Sequence, residues 1–226
     1  GQYFWPDGTP RTTALEYQGL LASACFEGGQ LTCLSCHSLH RSSPEDQLKF
    51  GGTRDESVEH RNRACTQCHE EFESNSQLQS HTHHDAKTEA SLCYNCHMPY
   101  QAYSLLKRVR SHRIARPSPA ATKRFGIPNG CNQCHVDRTL AWSQENLEMW
   151  FWPGEGRVSK SLSETSMVIK HALSGHALQR ALAIEQLGDP QNFELAGSLW
   201  RGRILMELLE DSYAANRLLA FQALSK

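Results

Sequence analysis

The sequence predicts a mainly α-helical protein made of two unlike parts, a loop-rich segment over residues 1–152 and a helical segment over residues 153–226. All 9 cysteines lie at or before residue 134, whereas apolar residues recur at helical spacing only after residue 156. Only 39% of the 226 residues are hydrophobic, which is low for a chain of this length. The loop-rich segment is therefore expected to build its core from something other than apolar side chains.

Composition excludes several classes of protein. The chain has 23 Lys and Arg against 24 Asp and Glu, and this balance excludes a general nucleic-acid binder, which needs an excess of basic residues. No apolar run approaches the roughly 18 residues that a membrane-spanning helix requires. An odd and high number of cysteines in a chain this long is also not typical of a disulfide scaffold.

Eight of the nine cysteines form four copies of the pattern C-x-x-C-H, which is the signature of covalent haem attachment in c-type cytochromes. Two thiols three positions apart lie on one side of a helical turn and can form thioethers with the two haem vinyl groups, while the next histidine reaches the iron. Neither zinc nor a thioredoxin-like dithiol requires that histidine in every copy. The sequence therefore predicts four covalent haems, attached through Cys33, Cys36, Cys65, Cys68, Cys93, Cys96, Cys131 and Cys134, with His37, His69, His97 and His135 as proximal ligands.

The four motifs occupy only residues 33–135. So short a segment cannot bury four large macrocycles separately, so we expect the haems to pack against one another. The cofactors then form the core of this segment, and closely packed haems provide a path for electrons.

The chemistry of each iron depends on the ligand opposite its proximal histidine. Three of the four methionines follow the last motif, and Met98 directly follows a proximal histidine, so histidine is the expected distal ligand. Six histidines outside the motifs precede residue 143, which is enough for four irons. They are His40, His60, His81, His83, His84 and His112.

Spacing separates these candidates only in part. His40 follows His37 by three residues, too close to reach the opposite face of the same haem, so it is expected to close a neighbouring site. His81 and His84 are three residues apart and could serve two adjacent haems, with His83 as the rival of His81. His112, in the basic stretch 107–113, is a further expected ligand. His60 is expected to be a surface residue or a hydrogen-bond donor to a ligand.

Several stretches resemble a family of multihaem c-type cytochromes whose members often carry tetratricopeptide or HEAT-type repeats behind a tetrahaem module. The resemblance covers about residues 7–152. It is carried by Cys33-Leu-Ser-Cys36-His37-Ser-Leu-His40, the His-rich segment before Cys93, Cys96-His97-Met98-Pro99, Ser111-His112-Arg113, and residues 128–137 leading to Trp142.

This resemblance implies that His40, His81, His84 and His112 are the distal ligands, so that every haem has two histidines on its iron. The order His-Thr-His-His over residues 81–84 departs from the family pattern and leaves the choice between His81 and His83 open. Cys25 matches no ligand of the family and has no partner motif, so we expect an idle thiol.

The helical segment has its own signals. Ser161 and Glu164 predict a capping box ahead of a helix that contains Met167. Further helices are predicted over residues 176–187, residues 194–209 and from a cap at residues 211–212 to residue 224. Residues 208–220 resemble one HEAT-repeat unit, and the histidines at 171 and 176 are expected to be helix residues rather than ligands.

These features predict an electron carrier rather than an enzyme, because a haem with two histidine ligands has no open position for a substrate. Two alternatives remain: a multihaem oxidoreductase with one open haem, and a subunit that its helical repeats dock into a haem filament or a larger respiratory complex. The expected partners are redox proteins, with no nucleic acid and no membrane span in this chain.

Residues 1–32 lack the layout of a signal peptide. Because haem is attached outside the bacterial cytoplasmic membrane, we expect an exported protein, periplasmic or at the cell surface.

Overall fold

The computed structural model describes residues 3–11, 15–29, 31–40, 47–50, 56–103, 107–151, 164–197 and 199–226. These ranges are mainly helical and rich in loops, which confirms the predicted fold class. The helices are α1 Glu16–Leu21, α2 Ala24–Glu27, α3 Cys33–Cys36, α4 Val58–Thr66, α5 Asn75–Thr82, α6 Cys93–His97, α7 Pro119–Phe125, α8 Cys131–Cys134, α9 Leu140–Phe151, α10 Met167–Ser174, α11 Ala177–Leu187, α12 Gln191–Ala196, α13 Leu199–Glu207 and α14 Ala214–Leu224. Short 3-10 helices cover Glu70–Phe72, Glu89–Ser91 and Leu208–Glu210.

Serine side chains start several of the helices in the first segment. Ser57, Ser74 and Ser118 each accept a hydrogen bond from the backbone N–H three residues ahead, which satisfies one of the free donors at the start of α4, α5 and α7. Few apolar side chains support these helices. The one apolar cluster of this segment among the described residues is small, with Val58, Leu78, Ala86 and Leu92 at its centre.

A β-hairpin that the sequence analysis did not predict lies between the third and fourth motifs. Strand β1 (Tyr100–Tyr103) pairs with antiparallel β2 (Lys107–Arg110), with Tyr100 opposite Arg110. The guanidinium groups of Arg108 and Arg110 lie 4.3 and 3.7 Å from the centre of the Tyr100 ring. These cation–π contacts stabilise a strand pair that is otherwise strongly basic.

The last five helices pack around one apolar core. Its most buried members include Ile184, Leu187 and Ala220, and it also contains Val136, which directly follows the fourth motif. The Asn192 side chain donates a hydrogen bond to the Gln133 carbonyl at 3.0 Å. The C-terminal helices therefore pack directly on the fourth motif.

Two details of the predicted helices are wrong. The third helix is not continuous over residues 194–209, because Gly197 has a φ of +75° and separates α12 from α13. The cap of α14 is Tyr213 rather than residues 211–212, although the Asp211 carboxylate accepts a hydrogen bond from the Tyr213 N–H at 2.7 Å. The helix over residues 176–187 is confirmed as α11, with His176 as its N-cap.

The boundary proposed at residues 152/153 and the capping residue Ser161 lie outside the described residues. The described helix that follows, α10, begins after Ser166, whose hydroxyl accepts a hydrogen bond from the Ile169 N–H. In the part of the chain that the structure describes, every helix is too short or too polar to cross a membrane.

Candidate haem sites

Each C-x-x-C-H motif places its two cysteines on a helical turn, as the attachment chemistry requires. The cysteines of the first, third and fourth motifs lie in α3, α6 and α8. In the second motif Cys65 lies in the last turn of α4 and Cys68 in the turn that follows, where its N–H donates to the Cys65 carbonyl at 3.1 Å. The backbone N–H of His37, His69 and His135 donates to the carbonyl of the first cysteine of its motif, at 2.8, 3.1 and 2.9 Å. No disulfide joins any two of the nine cysteines, all of which lie in the described residues.

Consecutive motifs touch one another in chain order. The Cys36 thiol of the first motif lies 3.9 Å from the Ala64 carbonyl beside the second motif. The thiols of Cys65 and Cys93 are hydrogen-bonded to each other and so join the second motif to the third. Gly130 packs on the backbone of Asn95, which joins the third motif to the fourth. The four motifs thus form a row of neighbouring sites.

Three proximal histidines each face one histidine from outside the motifs. The ring centres of His37 and His112 are 6.3 Å apart with an interplanar angle of 29°. For His97 and His81 the values are 6.1 Å and 9°, and for His135 and His84 they are 6.1 Å and 32°. The structure therefore brings together three of the predicted proximal residues with three of the predicted distal residues.

This separation is the one expected for two imidazoles on opposite sides of one metal ion. A first-row transition metal binds an imidazole nitrogen at about 2.0 Å and the ring centre lies about 1.2 Å behind that nitrogen, so two imidazoles bound opposite each other would have ring centres about 6.4 Å apart. Direct stacking of two rings would bring them closer, as in the stack of His83 on Trp150 at 4.2 Å. The ring centres of the three pairs are 6.1–6.3 Å apart, which is close to the separation that two imidazoles bound to one metal ion would have.

One histidine of each pair also has its ring orientation fixed by a backbone carbonyl. The Nδ1 atom of His112 lies 3.1 Å from the Arg110 carbonyl, and that of His97 lies 3.0 Å from the Ala115 carbonyl. The Nδ1 atom of His84 lies 2.6 Å from the Thr82 carbonyl. An Nδ1–H that donates to a carbonyl leaves Nε2 unprotonated and free to bind a metal, which is the usual arrangement of metal-binding histidines.

A comparison with known families bears on the first two motifs. A family described as Doubled CXXCH motif matches residues 24–74, which contain the first two motifs. No curated protein and no solved structure matches the chain. The match supports a module that resembles multihaem c-type cytochromes, with covalent haem c and a role in electron transfer, and the facing imidazoles fit such a group.

The histidines of residues 81–84 have different surroundings. His81 faces His97, whereas His83 has a left-handed backbone with a φ of 56° and its ring stacks on Trp150 at 4.2 Å with an interplanar angle of 13°. His84 faces His135. The geometry therefore pairs His81, and not His83, with a proximal histidine.

The second motif differs from the other three. The His69 side chain is 55% exposed and its Nδ1 lies 3.7 Å from a Glu71 carboxylate oxygen. Its closest aromatic neighbour is Phe72, at 6.5 Å between ring centres. Among the described residues, which include His40, no imidazole faces His69 at the separation of the other pairs. The assignment of His40 as a distal ligand stays a prediction.

Burial raises the pKa of cysteine thiols in the third and fourth motifs. Burial raises the pKa of the Cys96 thiol to about 12 and that of Cys131 to about 11. Burial also raises the pKa of Cys25, with a further contribution from the neighbouring Cys65. Zinc binds cysteine as the thiolate, so these environments suit neutral sulfur, as in a thioether, better than a zinc site.

A cavity of about 170 Å³ adjoins the third motif. Cys96 and His97 line it, together with Gln101 and Asn129, which are 5% exposed. The Gln101 Oε1 and Asn129 Nδ2 atoms are buried without a hydrogen-bond partner among the described residues. Buried polar atoms are rarely left unpaired in native proteins, so this space fits a bound group with polar edges.

Sequence reasoning missed one member of the site. In the sequence, Arg110 is one residue of the basic stretch around His112 and is not predicted to have a role at a haem site. In the structure its guanidinium donates to the Tyr94 carbonyl at 3.1 Å and to the Met98 carbonyl at 3.3 Å. Its contacts therefore hold the third motif from the hairpin side. No local sequence pattern distinguishes Arg110 from the other arginines in this stretch.

Proposed function

We propose that this chain is an electron carrier with four covalent c-type haems in a row. His112 closes the first site, His81 the third and His84 the fourth. His40 is the proposed distal ligand of the second site, opposite His69. The observation that carries the proposal is the set of three imidazole pairs with ring centres 6.1–6.3 Å apart.

When bound, haem supplies an iron that gains or loses one electron without forming or breaking bonds to a substrate. The residues of the chain determine whether the iron can do anything else. Two imidazoles on one iron leave no position for a small molecule, so each closed site is limited to electron transfer. The contacts between consecutive motifs support transfer from one site to the next along the row.

A second candidate function rests on the exposure of the second motif. Because His69 is 55% exposed and faces no imidazole among the described residues, its site could keep one iron position open. An open position would allow a substrate to bind and would make the protein a multihaem oxidoreductase. The four regular motifs and the supply of histidines favour the carrier.

Location and partners follow from the attachment chemistry. C-type cytochromes with these motifs are typically exported, so we place the protein in the periplasm or at the cell surface. Its partners are then redox proteins that donate electrons to the row or accept them from it. The C-terminal helices, which pack on the fourth motif, are suited to docking the protein in a larger complex or to self-assembly.

The first test counts the haems. Intact-mass analysis of the matured protein is expected to show four covalent haems that survive acid–organic extraction. Replacement of Cys131 and Cys134 by alanine is expected to remove one of them. Fewer than four haems in the unaltered protein would contradict the motif reading.

The second test examines the distal ligands one at a time. His112→Ala, His81→Ala and His84→Ala should each convert one haem in four from low-spin to high-spin and create one site for carbon monoxide. His83→Ala is the matched control, because its ring stacks on Trp150 instead of facing a proximal histidine. A new high-spin signal in His83→Ala but not in His81→Ala would refute the assignment.

The same spectra separate the two functions. If the protein is a carrier, all four haems of the unaltered chain are low-spin and bind neither carbon monoxide nor cyanide, and His40→Ala opens one site. A high-spin haem in the unaltered chain that His40→Ala leaves unchanged would support the oxidoreductase instead.

A further inference from the structure

Arg110 is a partly buried cation enclosed by the third motif. Its guanidinium donates hydrogen bonds to the carbonyls of Tyr94 and Met98 and to the Asn95 side-chain oxygen. The ring centres of Tyr100 and Tyr94 lie 3.7 and 4.8 Å from the guanidinium carbon. Two aromatic rings and three oxygen acceptors therefore surround the charge without neutralising it.

Three of the neighbouring arginines have a carboxylate partner. Arg61 lies 3.0 Å from Glu89, and Arg113 lies 2.7 Å from Asp7. Arg108, two residues before Arg110 on β2, contacts two carboxylates, at 3.1 and 3.6 Å. In the described part of the chain, by contrast, Arg110 forms no ion pair. Its positive charge is therefore uncompensated by protein carboxylates in contact with it.

The contacts of the Arg110 guanidinium place its positive charge at the third motif. Its acceptor atoms belong to residues 94, 95 and 98, which lie within the third motif or directly after it. The Cys96 thiol of the same motif also feels the charge of Arg110. The charge of Arg110 also acts on Cys134 of the fourth motif, where Arg108 adds to it and Asp189 and Glu89 oppose it.

Reduction of a haem iron from the ferric to the ferrous state adds one electron and lowers the charge of the site by one. A fixed positive charge nearby stabilises the reduced state relative to the oxidised state, because net charge is one of the factors that set the reduction potential of an iron site. We propose that Arg110 selectively raises the reduction potential of the third haem, which makes that site the place where an electron resides within the row. This inference rests on the proposed attachment of a haem at the third motif.

The expected size of the effect follows from Coulomb's law. For a unit charge about 12 Å from the iron and an effective dielectric constant of about 20, loss of the charge changes the equilibrium constant for reduction by about tenfold, or about 59 mV for one electron.

Three variants test the charge separately from the packing. Arg110→Gln removes the charge, and Arg110→Lys keeps it but loses the planar set of donors. Asn95→Asp keeps the acceptor that Arg110 contacts and places a carboxylate against it, so that the charge is neutralised, at the loss of the hydrogen bond that the Asn95 Nδ2 donates to the Glu89 carbonyl at 2.7 Å. Arg203→Gln, which removes the same charge from an exposed position on α13, is the control for the net charge of the chain.

The measurement is a spectroelectrochemical titration of the full haem-loaded protein. The same titration in a His81→Ala background identifies the third site, because its haem is then the high-spin one. We expect the reduction potential of that haem to fall by about 59 mV in Arg110→Gln and Asn95→Asp, which corresponds to the tenfold change in the equilibrium constant. In Arg110→Lys and Arg203→Gln it should stay near the value of the parent protein.

Two results would overturn the inference: an unchanged potential in both charge-removing variants, or an equal fall at all four haems. If Arg110→Gln fails to retain its haems, the reduction potential of the third haem in Asn95→Asp is the deciding measurement. Failure of the proposed function gives a different result, since intact mass would then show no haem on Cys93 and Cys96 in the unaltered chain.

Discussion

The C-terminal helices should lose stability in mild acid because of one buried histidine. His171 lies on α10 with its Nε2 3.4 Å from the Gln179 side-chain nitrogen of α11. Burial, and secondarily the charge of Lys170, lowers the pKa of His171 to about 4, from an ordinary value of 6.5. His176 at the start of α11 lies 2.5 Å from an Arg11 nitrogen, and burial together with that arginine also lowers its pKa to about 4.

The lowered pKa determines the direction of the effect. Above pH 6.5 the histidine is neutral in both the folded and the unfolded chain, so the full stability is present. Between pH 6.5 and pH 4 the unfolded chain binds a proton that the folded chain refuses, and stability falls as the pH decreases. For His171 alone the loss is about 2 kcal/mol at pH 5 and about 3 kcal/mol below pH 4. His176 is more exposed and adds less, because solvent screens its charge.

His171→Gln tests this explanation, since glutamine keeps a polar group at the position but does not titrate. Urea unfolding at pH 7.5 and pH 5, followed by far-UV circular dichroism, measures the free energy of unfolding of both proteins. The unaltered chain should lose about 2 kcal/mol more than the variant between the two pH values. An equal loss in both proteins would show that other groups, such as the proposed haem ligands, cause the acid sensitivity.

Two further substitutions test packing between the motifs and the role of the ninth cysteine. In Gly130→Ala, the new Cβ would lie 2.8 Å from the Asn95 carbonyl oxygen and 2.9 Å from that of Cys96, so we expect a loss of about 1–3 kcal/mol in urea unfolding. Its control, Gly202→Ala, has nothing within 4 Å of the new Cβ and should be neutral or more stable by up to about 1 kcal/mol. Cys25→Ser should leave the haem content and the visible spectrum unchanged, and a lost haem would show that Cys25 takes part in attachment.

The sequence was most informative where chemistry depends on local spacing. The C-x-x-C-H motifs need only one helical turn each, and all four are placed on such turns. The β-hairpin could not be predicted in the same way, because its stability depends on contacts between Arg110 and the ring of Tyr100, ten residues away in the chain. The break between α12 and α13 depends on the left-handed conformation of Gly197, in a stretch whose apolar pattern is compatible with one continuous helix.

The choice between His81 and His83 shows how a helix end can determine a binding site. Both residues lie near the third and fourth motifs, so spacing alone could not separate them. Helix α5 ends at Thr82, and His83 is its C-cap in a left-handed conformation. His81, in the last helical turn, therefore faces His97, and His83 turns towards Trp150.

The same helix end also positions His84. Beyond the C-cap, the Nδ1 of His84 lies 2.6 Å from the Thr82 carbonyl, which leaves Nε2 as the ring nitrogen available to a metal. Its ring then faces His135 of the fourth motif, so one helix end provides the proposed ligands of two different haems. A residue that resists the left-handed conformation at position 83 would change the direction of the chain at this point. The placement of His81 against the third motif and of His84 against the fourth therefore depends on the backbone conformation of His83, which faces neither His97 nor His135.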